Sequence, residues 1–109
     1  MTNNINKLES AKKNMKVSQF YNTNQFIIKT NGSTVFQSYD SVVAVIDENG
    51  LTLGCDWDYS HTTLKHLYLF INDYVHAREL RSLNEQKNKR AFIQKLIDSN
   101  IIKYDEELI

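Results

Sequence analysis

Two Asn-Gly pairs constrain the fold of this chain more than any other feature of its sequence. They stand at Asn31-Gly32 and Asn49-Gly50, and this dipeptide supplies the positive φ angles that tight β-hairpin turns demand. Runs rich in β-branched and aromatic residues flank both pairs, as is typical of strands. The sequence therefore predicts four strands that follow one another as an antiparallel meander from Phe26 to Trp57.

The last of these strands has the clearest pattern. Leu51, Leu53, Cys55 and Trp57 alternate with small or polar residues through residue 58. A period of two sustained over eight residues indicates a strand with one buried face. The pattern places Cys55 on that inward face and leaves an apolar surface that needs a cover.

Two helices are predicted after the strands. Apolar residues recur at spacings of three and four over residues 60–76, which indicates an amphipathic helix that covers the sheet. Ser82 and Glu85 have the spacing of a capping box, and an apolar stripe follows them, so a second helix is predicted over residues 82–98. Residues 101–109 suit either an edge strand or a docked extension. The predicted fold class is α+β.

The size of the chain suits one domain. It has 109 residues, and its single cysteine excludes an internal disulfide and fits a reducing compartment. Residues 1–18 are polar and indicate a helical or flexible leader, whereas residues 19–109 form the predicted domain. No apolar run approaches the roughly 20 residues of a membrane span. The expected location is the cytoplasm, without a membrane partner.

Two motifs give the sequence a family resemblance. The first is Gln37-Ser38-Tyr39-Asp40-Ser41, and the second is the W-D-Y-S-x-T-T-x-K pattern of residues 57–65. They resemble a family of small uncharacterised proteins and domains of phages, plasmids and low-GC bacteria, which carry a Q-S-Y element and a glycine-containing hairpin before the second motif. The resemblance covers about residues 24–71. It implies a viral or mobile-element accessory protein, and it carries over neither a reaction nor any functional residue.

The segment that joins the last predicted strand to the first helix allows two interpretations. In the structural one, Trp57 ends the inward face, Asp58 or Ser60 caps the helix, and Thr62 and Thr63 bond within its first turn. In the functional one, exposed aromatic and acidic side chains bind a partner, because exposed tyrosines bury much area at low entropic cost. The predicted partner-binding residues are Tyr39, Asp40, Asp58, Tyr59 and His61.

Our leading hypothesis from the sequence is a protein-interaction module that binds a host or defence protein and blocks it sterically, as an anti-CRISPR inhibitor does. The alternative is a small DNA- or RNA-binding regulator that uses the basic segment 78–95, aided by the lysines at 12, 13 and 16. A net charge of zero and the lack of a helix-turn-helix or zinc-finger pattern favour a merely solvated basic surface. The basic residues of the segment are Arg78, Arg81, Lys87, Lys89, Arg90 and Lys95.

Catalytic and metal-binding patterns are weak. Ser60-His61 is only an adjacent pair, and the three scattered glycines form no phosphate-binding loop. Neither C-x-x-C nor H-x-x-x-H occurs, so the spacing argues against a metal site. The sequence therefore predicts no enzyme, no metal and no cofactor. The metal ligands considered were Cys55, Asp56, Asp58, His61, His66 and His76.

Overall fold

A computed structural model describes residues 15–108, in which six strands form one sheet whose spatial order follows the sequence. Neighbouring strands are antiparallel, except that the last two are parallel. The α+β class predicted from the sequence is confirmed. The prediction of four strands was wrong, because one further strand lies at each edge. The strands are β1 (Lys16–Phe20), β2 (Asn22–Lys29), β3 (Ser33–Ser38), β4 (Ser41–Asp47), β5 (Gly50–Leu53) and β6 (Lys103–Tyr104).

Strand β1 begins within the segment that the sequence assigns to a polar leader. Residues 16–18 pair with β2, whereas residues 1–14 of that leader lie outside the described residues. The strand was missed because its exposed side chains show no apolar alternation, and only Phe20 at its end is buried. At the opposite edge, β6 pairs with β5. Of the two structures that the sequence allows for residues 101–109, the fold therefore contains the edge strand.

Both Asn-Gly pairs lie at hairpin turns, as predicted. Gly50 has a φ of 109°, a conformation that side-chain-bearing residues rarely adopt. At the other turn, neither Asn31 nor Gly32 has a positive φ, so that part of the prediction was wrong. This turn is instead closed by Thr30, whose N–H donates to the Ser33 carbonyl at 3.0 Å.

Strand β5 ends at Leu53, five residues before the end of the predicted period of two. A Cβ atom on Gly54 would lie 2.7 Å from the Val42 carbonyl oxygen, so this close approach requires glycine. The chain then turns, and the Trp57 N–H donates to the Gly54 carbonyl at 3.1 Å. The turn buries Trp57 but leaves Cys55 exposed, so the predicted inward position of Cys55 was wrong.

Helix α1 (His61–Tyr74) covers one face of the sheet and lies within the predicted range 60–76. Its cap is Ser60, whose Oγ accepts from the Thr63 N–H at 3.1 Å. The helix packs on the sheet through Phe70, whose ring stacks on Phe36 with centroids 5.7 Å apart. Among residues 15–108, no helix is long and apolar enough to span a bilayer.

The second predicted helix is shorter than expected. Helix α2 (Lys89–Asp98) occupies only its second half, and two short 3-10 turns, Arg78–Leu80 and Leu83–Glu85, precede it. Ser82 forms no capping hydrogen bond, so the predicted capping box was wrong. Asn88 caps α2 instead, with its Oδ1 accepting from the Ala91 N–H at 3.0 Å.

Candidate partner-binding site

A pocket of about 490 Å³ lies at the corner between the β3–β4 turn and the start of α1. The antiparallel order explains this meeting, because the end of β3, the start of β4 and the end of β5 all lie at one end of the sheet. Residues separated by some twenty positions in the sequence therefore share one cavity. This corner pocket is lined by Ser38, Tyr39, Asp40, Ser41, Val43, Asp56, Tyr59, Ser60 and Thr63.

The corner pocket is acidic. Asp40 is exposed and Asp56 is half-buried, and no lining residue is basic. The Ser41 hydroxyl donates to Asp56 Oδ2 at 2.9 Å and holds that carboxylate in place. The one ion pair found in residues 15–108 involves neither carboxylate. Their negative charge is therefore not neutralised by a neighbouring side chain in the described part of the chain.

The floor of the pocket contains a buried hydroxyl without a partner. Ser38 is 5% exposed, and its Oγ makes no hydrogen bond. Directly opposite Ser38 on β2 lies Gln25, which is 1% exposed and whose Oε1 is also unpaired. Leaving a buried polar atom unpaired costs about 1–3 kcal/mol. Of these two side chains only Ser38 lines the pocket, so its hydroxyl gives the pocket unused hydrogen-bonding capacity.

Two tyrosines form the rim. Tyr39 is 60% exposed and Tyr59 is 80% exposed. Tyr39 has a φ of 53°, which is unfavourable for a bulky residue. Its backbone is fixed on both sides, because its N–H donates to the Asn24 carbonyl and its own carbonyl accepts from Gln37 Nε2, both at 2.7 Å. The turn thus displays the Tyr39 ring from a constrained backbone.

Three of the five predicted partner-binding residues line the corner pocket, namely Tyr39, Asp40 and Tyr59. His61 is exposed in the first turn of α1 but does not line the pocket. Asp58 lies elsewhere, as described below. The predicted partner-binding residues include neither Asp56, which also appears among the metal ligands considered, nor Ser38 and Ser41. The first motif could have indicated both serines, because they flank the Tyr39-Asp40 turn symmetrically.

A third acidic residue nearby is neutralised by an ion pair. Asp58 accepts hydrogen bonds from Arg90 Nε at 3.0 Å and from Arg90 Nη2, which forms the ion pair. The Arg90 guanidinium also lies 5.6 Å from the centre of the Trp57 ring, within the range of a cation–π contact. We call this group of three side chains the Arg90 cluster. It ties α2 to the segment that precedes α1.

The basic residues of the segment 78–95 do not lie on one helix. Arg78, Arg81 and Lys87 precede α2, and Arg90 is engaged by Asp58. On α2, Lys89 and Lys95 lie about 120° apart around the axis at 100° per residue. The continuous basic helix on which the nucleic-acid alternative depends is therefore absent from this part of the described structure.

The described residues contain no group of three His, Cys, Asp or Glu side chains that could hold a metal ion. His66 is buried, and its Nδ1 lies 2.8 Å from the Thr62 carbonyl oxygen, one turn back along α1. This contact orients the imidazole within the helix. His66 is therefore a structural core residue in this fold.

Fold and site together define a small α+β protein with an acidic pocket between two exposed tyrosines. The chain belongs to a family of unknown function (DUF8033), whose model matches residues 5–92. The match includes the whole corner pocket and Arg90. No curated protein and no solved structure matches the chain.

Proposed function

We propose that this chain is a non-enzymatic interaction module that binds another protein at the corner pocket. The observation that carries the proposal is the exposure of Tyr39 and Tyr59 beside the unneutralised Asp40 and Asp56. Tyrosines are frequent energetic centres of interfaces. Carboxylates that lack a partner can complement a basic surface and speed its encounter with the module.

The chemistry of the lining supports binding rather than catalysis. Two of its three serine hydroxyls form structural bonds, because Ser60 caps α1 and Ser41 holds Asp56. A nucleophile needs an adjacent general base. The histidine nearest in sequence to these hydroxyls, His61, is not among the lining residues, and His66 is bound to a backbone carbonyl.

For the partner, we propose a host or defence protein in the host cytoplasm, which the module blocks sterically in the manner of an anti-CRISPR inhibitor. The resemblance of residues 24–71 to phage and plasmid proteins supports this identity. The rigid backbone at Tyr39 also supports steric blocking, because a preformed surface loses little conformational freedom when it binds.

The test is affinity capture from host lysate with quantitative mass spectrometry, followed by binding measurements with each purified candidate. A true partner is retained by the wild type and lost with Y39A/Y59A. The matched control is Tyr104→Ala, which removes another exposed tyrosine that lies outside the corner pocket. Equal retention by all three correctly folded proteins would contradict the proposal.

The alternative, a DNA- or RNA-binding regulator, predicts salt-sensitive retention on duplex DNA or heparin. The dispersed basic residues support it less than the pocket supports protein binding. The discriminating variant replaces Arg81, Lys87 and Arg90 with glutamine. Strong retention that this variant abolishes would favour the regulator over the interaction module.

A further inference from the structure

We infer that the corner pocket receives an arginine side chain of the partner protein, whose guanidinium group binds between Asp56 and the Ser38 hydroxyl. This inference rests on the proposed function and specifies the chemistry by which the partner is recognised. Charge, hydrogen-bonding capacity and the aromatic rim each point to the same group.

The charge of the pocket selects a cation. Asp40 and Asp56 contribute two negative charges, and the lining supplies no positive one. No lysine or arginine occurs anywhere between residues 31 and 60. An anionic ligand would be repelled, whereas a planar guanidinium can direct two parallel N–H groups at one carboxylate.

The pocket also offers a buried hydrogen-bond acceptor to such a cation. The Ser38 hydroxyl lines the pocket and has no hydrogen-bond partner among the described residues. It can accept one bond while it donates another. A ligand N–H that donates to Ser38 Oγ would therefore satisfy a buried polar atom that otherwise remains unpaired.

The rim favours arginine over lysine. Guanidinium groups stack on aromatic faces and are more weakly hydrated than ammonium groups. Tyr39 and Tyr59 present such rings beside the carboxylates. The volume of about 490 Å³ lies within the roughly 300–1,000 Å³ typical of ligand pockets. It leaves room for the aliphatic stem of the side chain and part of the neighbouring backbone.

The test is an NMR titration of the full-length, ¹⁵N-labelled protein with N-acetyl-arginine methylamide, which has no terminal charges. We expect saturable shifts confined to residues 38–43 and 56–63. The matched ligand is N-acetyl-citrulline methylamide, which is neutral and nearly isosteric, and we expect it to cause no saturable shift. Added salt should weaken binding of the arginine probe, because the pair is partly exposed to solvent.

The matched variants are Asp56→Asn and Asp47→Asn. Asparagine can still accept the bond from Ser41, so Asp56→Asn should preserve the fold while weakening arginine binding about tenfold or more. Asp47 lies at the opposite end of the sheet, in the β4–β5 hairpin, and its replacement should have no effect. Equal binding of citrulline, equal binding by Asp56→Asn, or no binding at all would overturn the inference.

The experiment also separates this inference from the proposed function. If Y39A/Y59A loses a captured protein but Asp56→Asn retains it at full affinity, the interaction module stands and the arginine pocket fails. If the arginine probe binds as expected but no protein depends on the two tyrosines, the pocket stands and the proposed function fails.

Discussion

Asp56 and Asp58 stand two residues apart in the sequence but have opposite surroundings in the fold. Asp56 lines the corner pocket, is held by a serine hydroxyl and has no basic partner. Asp58 belongs to the Arg90 cluster, where it is neutralised by the Arg90 guanidinium, which also lies over the Trp57 ring. The comparison shows that an acidic sequence segment does not reveal which of its charges remain available to a partner.

The physical cause of the difference is the turn after β5. In the continued strand that the sequence predicts, residues 56 and 58 would project from the same face. In the fold, the chain turns at Gly54 and buries Trp57 between the two acids. Asp56 is thereby directed to the β3–β4 side and Asp58 to α2. The tryptophan thus separates the corner pocket from the Arg90 cluster.

The largest expected effect on stability comes from replacing Trp57. Trp57→Ala should lower the free energy of unfolding by about 3–5 kcal/mol, because it leaves a cavity in the core and removes the ring beneath Arg90. The measurement is urea unfolding followed by circular dichroism. The control, Tyr59→Ala, removes an exposed ring two residues away and should change stability by less than about 0.5 kcal/mol. Similar losses in both variants would contradict the distinction between the buried Trp57 and the exposed rim of the corner pocket.

Much of the fold could be predicted because its signals are local. The Asn-Gly pairs marked two hairpins, and the apolar spacing of three and four marked α1. Strand β1 could not be predicted this way, because its exposed residues, Lys16 to Gln19, belong to it only through pairing with β2. The predicted capping box at Ser82 was wrong although its signal is local. The α-helix begins later in the chain, where the Asn88 side chain caps it.

The candidate site was harder to predict from the sequence than the fold was. Tyr39, Asp40 and Tyr59 were found because aromatic and acidic side chains near turns suggest an interface. Asp58 was grouped with them because its ion pair spans 32 residues, a separation that no local pattern reveals. Ser38 was overlooked because a serine in a strand attracts attention only once its burial and its missing partner are known.

The next largest effect concerns the two helix caps, Ser60 in the lining of the corner pocket and Asn88 at the start of α2. Ser60→Ala and Asn88→Ala should each lower the free energy of unfolding by about 1 kcal/mol, because each leaves a backbone N–H at a helix start without its acceptor. Urea unfolding provides the measurement. Only Ser60→Ala should also alter the corner pocket, so it alone should weaken the arginine probe. Equal weakening by both variants would show that probe binding follows stability rather than local geometry.

A smaller effect is expected from the ion pair itself. Arg90 and Asp58 are 53% and 25% exposed, so solvent screens their attraction. A double-mutant cycle of Arg90→Gln and Asp58→Asn should give a coupling energy of about 0.2–1 kcal/mol that decreases with added salt. The same cycle with Arg90→Gln and Asp56→Asn should give no measurable coupling. A coupling to Asp56 as large as that to Asp58 would abolish the distinction between the two acids.

The smallest expected effect is electrostatic and lies on α1 beside the Arg90 cluster. Burial raises the pKa of Tyr68 above its ordinary value of about 10, and the positive charge of Arg90 partly lowers it. Arg90→Gln should therefore raise the Tyr68 pKa further, whereas Asp56→Asn should leave it unchanged, as measured by NMR titration of the tyrosine ring carbon.

The same shift gives the sign of a stability effect. Because the folded protein holds the Tyr68 proton more tightly than the unfolded chain, its contribution to stability is fully present below pH of about 10 and is lost as the pH rises through the folded-state pKa. Tyr68→Phe should remove this part of the loss of stability at alkaline pH. If Arg90→Gln lowers the Tyr68 pKa instead, the positive charge of Arg90 does not lower that pKa. The contacts of Arg90 with Asp58 and Trp57 would then be its only interactions at this site.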